Sequence, residues 1–518
     1  FDDLGRVLKT AVMGKVGGAD GDTLTDPTVK FTYDLARYDG VGKPAFVKSE
    51  ARQVHGEDGW LVAYAFFDGA GATALSKRQA EPDGEEEERW VGSGRTVLNN
   101  KGNPVKQYEP YFSASWDWEE EEALDSVGVT PILYYDALGR LTRTELPNGT
   151  WQRVVFTPWR MEAWDENDTV SDAGNLWLLA RQPTADPEPG DEEQRAATLA
   201  WAHRNTPTVT HFDNLGRAFL VQQYLEPFDE LELPADADKI VETRSVLDIE
   251  GQVLVVKDAL GRPCMTCTYA VDGQMLKQVS IDSGTKWALA NAMGTPFRAW
   301  DALEHRMRVE VDLLQRPTQV WIKKGTADEW LSTCVSYGEA FADPEDTNLR
   351  GKVVLTFDGA GFVETSSFDF KGNALTWARQ LALAYETEPD WTALASASTP
   401  AGALAASASL LENETFEKAF AFDALGRVTS ATMPDQSEIR PTYNQASLLE
   451  QVEVRIRGAL TWTTFVENIT YDAHGRRTAI TYGNTTSTEY TYDPLTFRLT
   501  RLKTTRSTDS KVLQDLKY

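Results

Sequence analysis

Cysteine and histidine are scarce in this 518-residue chain, with three of the first and five of the second. Cys264, Cys267 and Cys334 cannot supply a disulfide framework, so the fold has to stand without one. Cys264 and Cys267 have the spacing of metal ligands, but no second pair or nearby histidine completes a set of four, and no metal or other cofactor is expected. On a strand, positions i and i+3 also point to opposite faces. The histidines (His55, His203, His211, His305, His474) lie in no nucleophile or metalloprotease motif, and His474, at a turn position, is expected to be exposed. No apolar run approaches the roughly 20 residues of a membrane helix, so no transmembrane segment is expected. Positive charge is short as well: Lys+Arg 51 against Asp+Glu 79 gives −28, which argues against a nucleic-acid partner. Helical periodicity is limited to residues 192–204, 373–385 and the Ala/Ser-rich stretch 393–411.

What is abundant is aromatic and apolar material, 10% and 41% of the chain, enough for a folded core and too much for global disorder. A short pattern organises it: aromatic, Asp, two residues, Gly, Arg, apolar. It stands at Phe1-Asp2-Asp3-Leu4-Gly5-Arg6, Tyr135-Asp136-Ala137-Leu138-Gly139-Arg140 and Phe212-Asp213-Asn214-Leu215-Gly216-Arg217. It returns around Asp258, Gly261 and Arg262, around Asp423, Gly426 and Arg427, and around Asp472, Gly475 and Arg476. Weaker copies begin at Asp68, Asp248, Asp358 and Asp369.

The chemistry of each copy is that of a hairpin. Asp opens a type I turn and accepts a hydrogen bond from the backbone two residues on. Gly three places later supplies the positive φ of the following bulge, and the flanking aromatic and apolar residues favour strands. Gly251 and Gly261 stand ten residues apart, one strand and one turn. In residues 311–316 Gln315 takes the place of Gly, and Phe362 follows Gly361 where Arg is usual, so turns that are distorted or of another type are expected at both. The chain opens inside a copy of the repeat, which predicts a fragment of a longer polypeptide. Residues 81–88, 119–122, 186–193 and 226–238 are acidic and read as solvated insertions. Asp165-Glu166-Asn167-Asp168 and residues 343–346 lack the spacing of a calcium loop and read as turns or strand ends. Trp116, Trp118, Trp151, Trp159, Trp164 and Trp177 read as cross-strand packing, with a sugar-binding surface or a cargo-facing lining as the sharper alternatives.

Tyr-Asp-x-x-Gly-Arg resembles the YD repeat of the RHS superfamily, which includes bacterial RHS toxins, teneurins and the B and C components of insecticidal Tc toxin complexes. Residues 1–180 resemble the C-terminal part of a Tc B component through Thr10-Ala11-Val12-Met13-Gly14-Lys15, Gly21-Asp22-Thr23-Leu24, Gly92-Ser93-Gly94-Arg95 and Asn100-Lys101-Gly102-Asn103-Pro104. Residues 181–518 resemble the continuing array through Thr206-Pro207-Thr208-Val209-Thr210 and Tyr492-Asp493-Pro494-Leu495. The resemblance implies an all-β fold: a long antiparallel sheet spiralling into part of a hollow shell, with a few short helices and acidic insertions. It implies a secreted structural segment that encloses and protects a C-terminal toxic effector, with no catalytic residue of its own. No catalytic-aspartate core and no β-propeller can be recognised in the sequence, so the family's autoproteolytic core is expected to lie outside the fragment. The implied partners are the missing N- and C-terminal parts of the shell, the effector cargo and a Tc A-type channel component. The alternatives are a YD-repeat adhesin binding glycans through exposed aromatics and, more weakly, a glycoside hydrolase with paired carboxylates.

Overall fold

The computed structural model describes residues 1–15, 21–82, 88–124, 128–185, 188–226, 239–397 and 399–518. Most of the acidic stretches 81–88 and 226–238 therefore lie outside the described residues. The chain forms two compact units, one of residues 1–97, 107–129 and 332–518, the other of residues 98–106 and 130–331.

The first unit contains a seven-stranded antiparallel sheet whose order is Lys9–Thr10, Val29–Asp34, Ala45–Arg52, Trp60–Phe67, Thr73–Ala80, Arg89–Ser93, Tyr111–Ser113. Its core is aromatic: Phe66, Leu75 and Trp118 are buried, with Phe46, Tyr64 and Trp116 packed on them. Tyr64 and Trp116 stack with centroids 4.5 Å apart. Gly92 has to lack a side chain, because a Cβ there would lie 2.5 Å from Cζ of Tyr111. The unit also holds antiparallel strands, each pairing with the next, from Val353–Asp358 to Lys511–Lys517.

Residues 373–385, expected to be helical, form the strand Ala374–Ala382 instead. Its Ala, Leu, Arg and Gln favour helix locally, but ladders to Gly361–Phe368 on one side and Leu411–Phe422 on the other override that preference. The stretch 393–411 is split: a 3₁₀ turn at Thr392–Ser396 precedes the helix Pro400–Ser407, which Thr399 caps by accepting from the Gly402 N–H. Residue 398 lies outside the described residues.

The second unit is built on fourteen strands, from Ile132–Tyr135 to Pro317–Lys324, each antiparallel to the next. One buried cluster, Trp164, Val209 and Tyr224 with Ile240 against it, lies near the helix-bearing insertion 165–207. That insertion contains the helix Asp191–Ala202, whose first turn is Asp191, Glu192 and Glu193, where carboxylates complement the helix dipole.

Beyond that cluster the sheet has no second layer among the described residues. Between residues 239 and 330 Cys267 is the only buried residue, and nearly every strand position is half-exposed on both faces. A sandwich would alternate buried and exposed positions along each strand. Here side chains brace one another across the sheet surface instead: Lys277 lies 4.6 Å over the Trp287 ring and Arg308 4.6 Å over Trp321. Cys264 and Cys267 lie on the strand Pro263–Tyr269, the first half-buried and the second buried, both as free thiols.

Candidate functional site

Six of the repeat turns share one geometry. In the turn at Asp136, the Gly139 N–H donates to the Asp136 carbonyl at 3.0 Å and the Asp136 N–H donates to the Arg140 carbonyl at 3.0 Å. The carboxylate fills the interior: Oδ1 accepts the N–H groups of Leu138 and Arg140, and Oδ2 accepts Nε of Arg140 at 2.7 Å. Asp2, Asp213, Asp258, Asp423 and Asp472 repeat this arrangement with Arg6, Arg217, Arg262, Arg427 and Arg476. The fourth residue is glycine with φ between 74° and 80° at Gly5, Gly139, Gly216, Gly261, Gly426 and Gly475. It forms the bulge that shifts the ladder register, as between Tyr134 and Tyr135.

Gly216 isolates the conformational requirement, because a Cβ there would meet no atom within 4 Å. Gly216→Ala is expected to lower stability by about 1 kcal/mol through the left-handed backbone alone. An unchanged denaturant midpoint would show that the turn tolerates an L-residue at no cost. Gln315 shows what that residue does: with φ of 63° it keeps both backbone bonds of the turn, and Arg316 still donates Nε to Asp312 at 2.7 Å. The distortion expected at Gln315 is therefore absent. At Gly361 the turn is different: Asp358 pairs directly with Gly361 in a tighter hairpin, and Arg379 from the next strand donates to Asp358 Oδ1 at 2.6 Å in place of the missing arginine.

A second set of contacts joins each turn to its neighbour. The arginine lies over the aromatic residue that begins the next copy, Arg427 over Tyr443 at 4.6 Å and Arg476 over Tyr492 at 4.1 Å, and Arg6 lies likewise over Tyr33 of the strand Val29–Asp34 at 5.0 Å. That tyrosine donates its hydroxyl backwards to a carbonyl just past the preceding turn. Tyr443 bonds Val428 at 3.0 Å, Tyr471 bonds Leu449 at 2.5 Å, Tyr492 bonds Arg477 at 3.1 Å and Tyr269 bonds Val253 at 3.0 Å. Burial pushes the Tyr443, Tyr471 and Tyr492 hydroxyls up, so they stay protonated donors. The arginine's free nitrogen reaches the next turn itself, as Arg217 does to the carbonyls of Asp248 and Ile249 at 3.0 and 3.1 Å. At these copies the motif is a turn plus a clamp on a neighbouring turn.

Several members of this lattice carry no Tyr-Asp-x-x-Gly-Arg string. Asn444 and Asn291 replace Asp as the internal acceptor, Ser447 occupies the positive-φ position after Asn444, and His305 replaces Arg beside Asp301. Asn shares the acceptor oxygen of Asp and tolerates turns equally well, so spacing rather than identity is the signal that finds these copies. His474, expected to be exposed, is half-buried instead: its ring packs on Phe497 at 4.3 Å and its Nε2 lies 3.2 Å from Glu109.

Of the other residues singled out in the sequence, Asp168 is buried and accepts the Asp165 N–H at 2.8 Å and both the N–H and hydroxyl of Thr206 at 2.9 Å. It ties the two ends of the 165–207 insertion together. Glu119, expected in a solvated loop, binds the fully buried Lys77 at 2.7 Å. Among the described residues no group of three metal-ligating side chains converges.

The turn carboxyls set a pH dependence. Asp136 and Asp213 are held below the ordinary 3.8, first by the backbone N–H of Arg140 and Arg217 and then by their guanidinium groups. A carboxyl with a depressed folded-state pKa stabilises fully above its unfolded value and loses that contribution as pH falls through the folded one. The thermal midpoint is accordingly expected to hold down to about pH 4 and fall below it. A fall centred above about pH 5 would assign the acid sensitivity to other groups.

Clamped hairpins laid side by side resemble the sheet of YD-repeat proteins, and the chain is similar in sequence to toxin subunits and in fold to Tc toxin structures. Toxin subunit YenC2 of Yersinia entomophaga is 29% identical over 342 residues, covering 60% of this chain and 34% of the subunit. Toxin subunit YenC1 of the same organism is 23% identical over 331 residues, covering 61% and 33%. The chain spans about a third of the length of the curated relatives it matches. Among solved structures, TcdB2-TccC3 superposes with a TM-score of 0.80 at 22% identity, over 96% of this chain and 24% of that one. The Photorhabdus luminescens Tc holotoxin pore gives 0.79 at 23% identity, over 93% and 22%. The fold is that of the Tc toxin shell. No family model matches the chain.

Proposed function

We propose that this chain is a wall segment of an RHS/Tc-type toxin shell that encloses and protects a C-terminal toxic effector before delivery outside the producing cell. The observation that carries the reading is the single-layer sheet of residues 239–330, half-exposed on both faces. A sheet built to bury its own core covers one face; a wall between two compartments leaves both faces uncovered. Residues 1–180 serve as the B-like region and 181–518 as the continuing array. The autoproteolytic core and effector belong to other parts of the shell, and a Tc A-type component is its channel partner. The tryptophans do not favour a glycan-binding surface: of the six singled out in the sequence, Trp118, Trp151 and Trp164 are buried, Trp116 and Trp177 are half-buried, and Trp159 alone is exposed.

Limited proteolysis of the complete shell polypeptide tests the reading. The effector segment should survive protease concentrations that degrade it when expressed alone. Equal cleavage of the enclosed and free segments would rule out encapsulation.

A further inference from the structure

A cavity of about 440 Å³ in the first unit lies between Lys15, the loop 344–352 and the repeat turn at Asp369. Four cations line it, Lys15, Arg350, Lys352 and Lys371, against two carboxylates, Glu345 and Asp369. In a chain of net charge −28, a concave surface richer in cations than in carboxylates runs against the average. Both carboxylates are already engaged. Glu345 pairs with Arg350. Asp369 is spent inside its own turn, where Oδ1 accepts the N–H groups of Lys371 and Asn373 at 2.9 and 2.8 Å and Oδ2 accepts Asn373 Nδ2 at 2.8 Å. The three lysines gain no counter-charge. Lys15 Nζ donates to the Asp346 carbonyl at 2.5 Å, Lys352 Nζ to the Gly372 carbonyl at 3.3 Å and Lys371 Nζ to the Ala424 carbonyl. Among the described residues, no carboxylate comes within ion-pairing distance of any of these ammonium groups.

An ammonium carries three hydrogens, so each lysine is anchored by one carbonyl and keeps donors for a further acceptor. Gly372 makes room for one of them: a Cβ there would lie 2.5 Å from Lys352 Nζ and push that ammonium aside. Like charges gathered in this way repel until an anion joins them. The volume and the donors set the class of that anion. The cavity is of the size that holds a small organic molecule, far larger than a monatomic ion needs. Lysine acts as a compact point charge suited to phosphate oxygens, whereas the planar fork of arginine matches carboxylates, and the one arginine here is paired with Glu345. Phe370, the one aromatic ring at the cavity, already packs 5.2 Å from the His55 ring. Charge is what the cavity has to offer.

We propose that this cavity binds a small polyanion bearing two or more phosphate groups. Bound there, the ligand links the segment at Lys15 to the loop 344–352 and to a turn of the repeat array, and stabilises the first unit by mass action. The proposal does not depend on the shell reading, and effector protection is read separately by proteolysis. Isothermal titration of the full chain with tripolyphosphate tests it, with the thermal midpoint followed in parallel. Lys15→Gln with Lys371→Gln removes two of the cations. Lys15→Gln alone alters only an exposed side chain, so a folding defect in the double variant leaves the test intact. The control, Lys511→Gln with Lys517→Gln, removes two exposed lysines of the same unit away from the cavity. Wild type and control are expected to bind alike and to melt higher with ligand, and the double variant to bind about tenfold or more weakly, with Lys15→Gln between them. No binding by wild type, undiminished binding by both cavity variants, or equal weakening in the control would overturn the proposal. Tighter binding of citrate or an oligoglutamate peptide than of tripolyphosphate would overturn it too, making a carboxylate ligand the occupant.

Discussion

Asp423→Ala is expected to destabilise the first unit by about 3–5 kcal/mol, the largest effect of any single turn substitution. The Asp423 side chain is 4% exposed, and its oxygens accept the N–H groups of Leu425 and Arg427 at 2.9 Å and Nε of Arg427 at 2.7 Å. Alanine leaves two backbone donors and a guanidinium short of an acceptor where water has little access. The damage spreads along the clamp, because the same guanidinium bonds Ser447 Oγ at 3.0 Å and Gln53 Oε1 at 3.3 Å. Asp423→Asn keeps the acceptor for both N–H groups, as Asn444 does at the next turn, and is expected to cost less than half as much. At Asp136, whose side chain is 23% exposed against 4% for Asp423, the alanine change has a smaller effect still, since water can replace the lost acceptor. Urea unfolding of the three variants should rank them in that order, and an Asp423→Ala protein as stable as Asp136→Ala would remove burial as the deciding factor.

The second large effect is expected at Lys77. This ammonium is fully buried and donates to Ser113 Oγ at 2.7 Å, to the Ser115 carbonyl at 2.6 Å and to Glu119 Oε2 at 2.7 Å. Burial lowers its pKa, opposed by the Glu119 carboxylate, which in turn accepts from Tyr111 and Ser113. Lys77→Met keeps the apolar stem but strands Glu119 without its cation, at an expected cost of about 3 kcal/mol. Adding Glu119→Gln removes the unpaired charge and should restore part of that loss, because a buried ion pair is worth little beyond mutual compensation. The double-mutant cycle checks this directly: a double variant no more stable than Lys77→Met alone would mean that the serine contacts, not the charge pair, set the cost.

Much of this architecture is legible in the order of residues. Asp at the start and Gly three places later encode a turn that needs no tertiary partner, so the six strong copies can be read from the chain alone. The clamp is harder to read, because Tyr443 and Val428 are fifteen residues apart and only the ladder brings them together. Turns such as those at Asn291 and Asn444 escape a motif defined by Asp and Arg, although their chemistry is equivalent. The strand Ala374–Ala382 is illegible for the opposite reason: its local preference points to helix, and two flanking strands overrule it. Glu119 reads as one more surface acid because nothing near it in sequence announces Lys77, forty-two positions away.

The clamp has a consequence for how the sheet melts. Through Tyr269 a hairpin grips the one before it and through Arg217 the one after it, so in the stretch without a second layer free energy is nearly a sum of hairpin and junction terms. Such a chain behaves as a one-dimensional lattice, in which opening advances as a front from a weak junction instead of occurring all at once. Loss or gain of a whole hairpin leaves the junction rule intact, whereas loss of one strand reverses the direction of every clamp beyond it. The length of such a wall is therefore quantised in strand pairs.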